Sequence, residues 1–361
     1  MAEGVHRALP DAETILVPVA DGGDGTLETL VETSGGEIRS TEVTGPLGER
    51  VTAQWGAMGD GKTAVIEMAR TSGLALVALD ERDPLTATTY GLGEAIGAAL
   101  DAGYRRFILG IGGSATNDGG AGMAQALGVR MLDAGGGDLP FGGAALAALD
   151  RIDMSGLDPR ATESEFLVAC DVSNPLTGPE GASAVYGPQK GATPEMVERL
   201  DAALAHFAEI ALRDLGADVS DIPGAGAAGG LGAGIMAFLK GRLRPGVDIV
   251  LDSVDLDRHL DGADLVITGE GSMDFQTVYQ KAPIGVARLA KARGIPVIGI
   301  SGSLGDGFGD VHAHGIDAVA AITRAPMTLD EATENAAELI AGATEQVLRI
   351  IIAGGRVFGN A

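Results

Sequence analysis

Cysteine is almost absent. The 361 residues hold one, Cys170, which rules out an internal disulfide and a zinc knuckle and fits a reducing compartment. Basic residues are half as many as acidic ones, Lys+Arg 25 against Asp+Glu 50, for a formal net charge of −25. So acidic a surface repels phosphate backbones and anionic membranes and argues against a nucleic-acid role. An anionic small substrate must then be met by a few local cations or by helix N-termini. No unbroken apolar run reaches the roughly 18 residues of a membrane span. The opening "MAEGVHRALPDAE" lacks the basic start and apolar run of a secretion signal. A cytoplasmic protein with no membrane partner is the expectation.

What is present in excess is glycine, 57 residues, against only 4% aromatics. The glycines cluster in short runs between apolar segments, so they read as tight turns and close backbone approaches rather than as a linker. With 45% hydrophobic residues the chain can bury a large core, and its length suggests two domains.

Four apolar runs have the texture of buried parallel strands: "TILVPV" (14–19), "DLVIT" (264–268), "PVIGI" (296–300) and "AVAAI" (318–322). Between the second and third, "PIGVARLAKARG" reads as a helix closed by glycine, which completes a βαβ unit. A helix is expected after Thr193, with Pro194 at its first position and Gly216 beyond its end. A last helix opens on a capping box of Thr328 and Glu331 and is expected to run unbroken through "NAAELIAGATEQVLRII". In the middle, "ERVTAQWGAM" and "TAVIEMA" alternate like antiparallel strands, and "RRFILGI" and "EFLVAC" run into polar loops. The expectation is an α/β chain of two domains, residues 1–40 with 262–361 forming one and 41–261 inserted as the other.

Five polar loops end or follow apolar runs: "ADGGDGT" (20–26), "GGSATNDGGAG" (112–122), "DVSNPLTGPEG" (171–181), "PGAGAAGGLGAG" (223–234) and "GEGSMDFQT" (269–277). Ligands of open α/β sheets gather beyond the carboxyl ends of strands, which makes these loops candidates. Glycine runs before helices leave backbone N–H groups free to face an anion. For "PGAGAAGGLGAG", tight turns in a close-packed sheet protein explain the glycines equally well. No Walker P-loop and no protein-kinase motif set occurs. Ser114, Thr116, Asn117 and Asp118 crowd hydrogen-bonding groups after a strand, and Asp171 and Asn174 do so after another, though Asn and Asp also serve turns for their own sake.

Acids at several strand ends together with glycine cradles suit phosphoryl transfer, in which Mg²⁺ needs hard oxygen ligands and the attacking hydroxyl needs a carboxylate. The five histidines lie away from these loops, and His312 and His314 are too isolated to argue for a metal. Arg70, Lys190 and Lys281 neighbour glycine- or proline-bearing turns and are candidate contacts for an anionic group.

These loops, in this order, resemble the bacterial glycerate kinase family, which is unrelated to protein kinases and P-loop kinases. The likeness runs through "ADGGDGT", "VTGPLG", "IEMARTSGL", "TTYGLGE", "IGGSATNDGGAGMAQALG", "DVSNPLTGPEGASAVYGPQKGA", "GAGAAGGLGAG", "ITGEGSMDFQT" and "KAPIGVA". It implies ATP- and Mg²⁺-dependent phosphorylation of D-glycerate, most often at O2. It also implies a flavodoxin-like domain interrupted by a restriction-enzyme-like one, with in-line transfer in the cleft between them. Asp171 and Asn174 match one acidic loop of the family, and Glu270, Asp274, Gln276 and Thr277 match a second. On this resemblance Asp171 or Asp274 is the base and the other helps to hold Mg²⁺. Arg70 is expected to clamp the glycerate carboxylate through its bidentate fork. Ser114, Thr116, Asn117 and Asp118 are expected to cradle phosphate or substrate hydroxyls, and Lys190 and Lys281 to contribute to binding substrate or nucleotide.

Three positions depart from the family pattern. Members begin with a strand and a D-S-F-K-G-S loop, whereas this chain opens within the helix that follows, without the early lysine and serine. Ser272 stands where members carry arginine, and Gln280 replaces a glycine before Lys281. These departures predict weak ligand binding by the chain as it stands, and they keep open a relative that binds a sugar acid or nucleotide without turnover. A nucleotide-dependent oxidoreductase has only the glycines in its favour, because no G-x-G-x-x-G follows the first strand.

Overall fold

An apolar run becomes a parallel strand only where a neighbouring strand offers backbone partners, and the computed structural model separates the runs that find such a partner from the one that does not. It describes residues 1–20, 25–279 and 281–358; Asp21 to Asp24 of the first polar loop and Gln280 lie outside the described residues. The chain divides into two compact units of mixed α/β structure, Met1–Asp21 with Val250–Ala361, and Gly22–Ile249.

The first unit is built on a parallel sheet of β9 (Val266–Thr268), β11 (Val297–Ser301) and β13 (Ala318–Ala321), in the order β13-β11-β9. Strand β11 is buried along its whole length, as its unbroken apolar sequence requires. The helix Ala282–Ala292 packs on β9 and β11, giving the expected βαβ unit, and Gly294 follows it with φ +73°. The short helix Ala2–Ala8 lies so close to Ala336–Phe358 that a Cβ on Gly4 would fall 2.2 Å from the Ala341 carbonyl.

Two expectations fail here. Residues 14–19 form no strand, and Ile15 and Leu16 are 54% and 73% exposed. No described strand pairs with this run, and apolar character without a ladder partner does not make a strand. The last helix is also not continuous: Leu329–Glu334 keeps its Thr328–Glu331 capping box, but Asn335 separates it from Ala336–Phe358. The Asn335 side-chain amide donates to the Glu331 carbonyl at 2.8 Å, a local bond that competes with the helical ladder.

The second unit carries a six-stranded sheet in the order β1-β2-β3-β4-β7-β8: β1 (Glu37–Thr44), β2 (Arg50–Ala57), β3 (Thr63–Glu67), β4 (Arg106–Gly110), β7 (Glu165–Ala169) and β8 (Arg242–Arg244). The β2–β3 pair is antiparallel, as the alternation of the two stretches predicts, and so is the β1–β2 pair, whose β1 was not anticipated; from β3 onward the pairs are parallel. A small antiparallel pair, β5 (Arg130–Leu132) and β6 (Arg151–Asp153), stands apart. Phe107 stacks on Phe166 across β4 and β7, with ring centroids 4.7 Å apart. The helix Pro194–Leu215 has its Thr193 cap and its left-handed Gly216 where the sequence places them.

The division between the units differs from the expected 1–40 and 262–361. The helix Thr26–Ser34 belongs to the second unit, since its Leu27 N–H donates to Glu67 of β3 and its Val31 packs where Gly56 of β2 leaves room. Strand β1 pairs with β2 in that same unit.

Candidate active site

The loop after β4 is shaped from the inside. The Asp118 carboxylate accepts from Thr89 N (2.8 Å), Thr89 Oγ1 (2.9 Å), Gly120 N (3.1 Å) and Gly122 N (3.3 Å). Burial pushes this carboxyl above its usual range while those donors pull it back. Asn117 Nδ2 donates to Ser183 Oγ at 2.9 Å, and Lys190 Nζ donates to the Thr116 carbonyl at 2.6 Å. Lys190 is 1% exposed, and burial pulls its ammonium down to about 7 against the opposing charge of Asp118. Two buried atoms of the loop, Thr116 Oγ1 and Asn117 Oδ1, have no hydrogen-bond partner among the described residues.

This arrangement revises what the sequence suggested. Ser114, Thr116, Asn117, Asp118 and Lys190 are all buried, and the Asn117 Nδ2, Asp118 carboxylate and Lys190 Nζ groups bond other parts of the protein. What the loop turns outward is the backbone of Gly112 and Gly113, the latter at φ +70°.

The run 223–234 is a packing element. Ala228, Gly229 and Gly230 are consecutive left-handed residues with φ of 53°, 71° and 86°. A Cβ on Gly229 would lie 2.1 Å from the Thr116 carbonyl, and Gly229 O accepts from Gly119 N at 3.0 Å. Of the two readings open for this loop, close backbone packing is the one the structure bears out.

In the loop after β7, Asp171 Oδ1 accepts from Gly246 N at 2.8 Å, at the first turn of the helix Gly246–Ser253, where negative charge is favoured. The Asn174 amide is held from both ends: Tyr186 OH donates to Oδ1 at 2.6 Å and Nδ2 donates to the Glu180 carbonyl at 2.8 Å. Burial pushes the adjacent Cys170 thiol up, away from thiolate chemistry.

Arg70 does not present an open fork. Its Nε donates to Glu67 Oε2 (2.7 Å), Nη1 to Gln54 Oε1 (2.8 Å) and Nη2 to Glu28 Oε1 (2.5 Å). Acids of its own unit already take the geometry expected for a substrate carboxylate, so Arg70 joins the helix Thr26–Ser34 to β2 and β3.

In the first unit, Glu270, Asp274, Gln276 and Thr277 come together at the end of β9. Thr277 Oγ1 donates to Glu270 Oε1 at 2.6 Å and accepts from Asp274 N at 3.1 Å, and Gln276 N donates to Asp274 Oδ1 at 2.7 Å. The two-residue strand β10 (Ser272–Met273) pairs in parallel with β12 (Ser303–Leu304). Met273 N donates to Ser301 Oγ at 2.9 Å, and Ser303 Oγ donates to Ser272 Oγ at 3.0 Å. Lys281 stands immediately before the helix Ala282–Ala292. Sequence reading passed over "SGSLGDG" (301–307), although it has the signal of the other loops: serines and glycines directly after a buried strand. It passed over Tyr186, Glu28 and Glu67 as well, whose roles depend on partners distant in sequence.

Among the described residues, no group of three or more His, Cys, Asp or Glu could by itself hold a metal, and no helix is long and apolar enough to cross a membrane.

A mixed α/β protein whose polar loops follow the carboxyl ends of parallel strands is the type of scaffold that handles small anionic ligands. The chain belongs to the glycerate kinase family, whose model matches residues 1–352. It is 52% identical to glycerate 2-kinase of Escherichia coli K12 over 357 residues, covering 99% of this chain and 94% of that one. It is 55% identical to glycerate kinase of Bacillus subtilis 168 over 335 residues, covering 93% and 88%. The crystal structure of a Salmonella typhimurium LT2 protein assigned as glycerate kinase 2 superposes with a TM-score of 0.90 at 52% identity, covering 98% of this chain and 93% of that one.

Proposed function

We propose that the protein transfers the γ-phosphoryl group of ATP in line to the 2-hydroxyl of D-glycerate, giving 2-phospho-D-glycerate, in the cytoplasm. Family membership supports the enzyme class, and the name of the Escherichia coli relative supports the position of transfer. The observation that carries the chemistry is Asp274. Its Oδ1 is anchored under the Gln276 amide, while Oδ2 accepts no hydrogen bond from the described residues. A carboxylate fixed by one oxygen and open at the other can take the proton of an attacking hydroxyl. Thr277 braces this loop by bonding both Glu270 and the Asp274 backbone.

Asp171, stabilised as an anion at a helix N-terminus, suits a Mg²⁺ ligand. Mg²⁺ takes one or two carboxylates and completes its shell with water and phosphate oxygens, so a three-acid cluster is not required. When bound, it supplies charge stabilisation to the phosphates. In the second unit the outward backbone of Gly112 and Gly113 suits a phosphate, with Asn174 a further polar contact; in the first unit Gln276 and Lys281 are polar groups suited to an anion. Ser114, Thr116, Asn117, Asp118 and Lys190 act by shaping their loop. On this reading the unit with the three-stranded parallel sheet is the flavodoxin-like part and the six-stranded unit the restriction-enzyme-like part.

The test is glycerate-dependent release of ADP from ATP, with and without Mg²⁺, and identification of the product by ³¹P NMR. Formation of 2-phosphoglycerate supports the proposal; 3-phosphoglycerate corrects the position of transfer. Thermal stabilisation by ligands with no turnover would leave a binding protein instead.

A further inference from the structure

We infer that Lys190 is a positioning residue for the phosphoryl transfer proposed above, holding the Asn174 amide in a donor orientation through a chain of polar contacts that starts buried and ends at the surface. The inference rests on that reading of the function and goes beyond it, giving Lys190, which is 1% exposed, a role exerted through Asn174.

The chain can be followed atom by atom. Lys190 Nζ holds the Thr116 carbonyl, and the next residue, Asn117, donates to Ser183 Oγ. Ser183 lies in the helix Ala182–Tyr186, whose Tyr186 hydroxyl donates to Asn174 Oδ1. The Asn174 carbonyl accepts from Gly226 N at 3.0 Å, and the same segment returns to the start, where Gly229 lies against the Thr116 carbonyl. The contacts close into a ring that ties the loops 112–122, 171–181 and 223–234 together.

At the far side of that ring the consequence is specific. Tyr186 bonds Asn174 Oδ1 and the Glu180 carbonyl takes one N–H of Nδ2, so the amide cannot flip without losing both. The second N–H makes no hydrogen bond to the described residues and is a donor suited to an oxygen of a phosphate or carboxylate. A lysine buried to 1% is costly to keep and gains little from a single carbonyl if it serves packing alone. Its depressed ammonium is the kind of perturbation that gathers near working sites.

The experiment compares the wild-type chain with Lys190→Met, Ser183→Ala, Tyr186→Phe and the Lys190→Met/Tyr186→Phe double variant, by steady-state kinetics with ATP and D-glycerate and by thermal melts. A released Asn174 donor raises the KM of one substrate at least tenfold in each single variant, and which substrate identifies the bound anion. Because the substitutions cut one ring, the double variant does no worse than its worse single. A merely structural lesion lowers the active fraction, and with it kcat, at unchanged KM. Unchanged KM for both substrates in Ser183→Ala and Tyr186→Phe overturns the inference, as does a double variant whose effects multiply. If Lys190→Met does not fold, the other two single variants decide. Absence of turnover in the wild-type chain strikes instead at the kinase reading, and is thereby told apart.

Discussion

The buried ammonium of Lys190 has a thermodynamic signature that does not depend on any substrate. Its ordinary value is 10.5 and burial lowers it to about 7 in the folded chain. Below about 7 both states carry the proton, and above 10.5 neither does. Between them the unfolded chain binds a proton that the folded chain lacks, so stability rises with pH by about 1.4 kcal/mol per unit. Over the whole window the gain is on the order of 5 kcal/mol. The stabilisation is present at high pH and is lost as pH falls toward 7.

The sole tryptophan, Trp55, lies in β2 of the same unit and is 3% exposed, so its fluorescence reports that unit's unfolding. Urea melts at several pH values and fixed ionic strength, for wild type and Lys190→Met, give the difference directly. Self-repulsion of a chain of net charge −25 acts nearly equally on both and largely cancels. Wild type should gain on the variant as pH rises. A stability difference independent of pH between 7 and 10 would falsify the reasoning: Lys190 would then be held charged in the fold throughout, with Asp118 strong enough to offset burial.

Further outcomes can be checked on the same material. Asp274→Asn should lower kcat by roughly 10²–10⁴ with the melting temperature nearly unchanged, and retention of most activity would remove Asp274 as the base. Gly229→Ala meets both a φ of +71° and a carbonyl 2.1 Å from the new Cβ, so the Trp55 melt should lose roughly 2–4 kcal/mol; a loss under 1 kcal/mol would mean that the segment shifts freely. Arg70→Met should destabilise the Trp55 unit and leave the glycerate KM within a few-fold. A tenfold rise in that KM with an intact melt would restore Arg70 to the role of substrate clamp.

The strands and caps were legible because their signals are local. An unbroken apolar run such as "PVIGI" and a Thr-Pro pair before an amphipathic stretch carry their meaning within a few residues. The acid loop after β9 carries a local signal too, and Glu270, Asp274, Gln276 and Thr277 bond one another there. Reading failed where meaning depends on a distant partner. "TILVPV" has strand composition, but its fate was decided by the lack of a neighbouring ladder. Arg70 looked like a free fork because Glu28 and Gln54, far along the chain, are what fill it. Ser, Thr, Asn and Asp among glycines look alike whether they face a ligand or satisfy a buried loop. Asp118 is told apart only by its burial and its four protein donors.

The first unit is assembled from the two ends of the chain, Met1–Asp21 and Val250–Ala361, while the second is one continuous stretch. On the ribosome the continuous unit can fold as soon as it has emerged. The early residues must wait for the last hundred, which at roughly 5–20 residues per second means tens of seconds. Throughout that interval the helix Ala2–Ala8 has no Ala336–Phe358 to pack against. The discontinuous unit is therefore the one whose assembly is exposed to chaperones and proteases, and its yield in the cell is governed by translation speed as well as by stability.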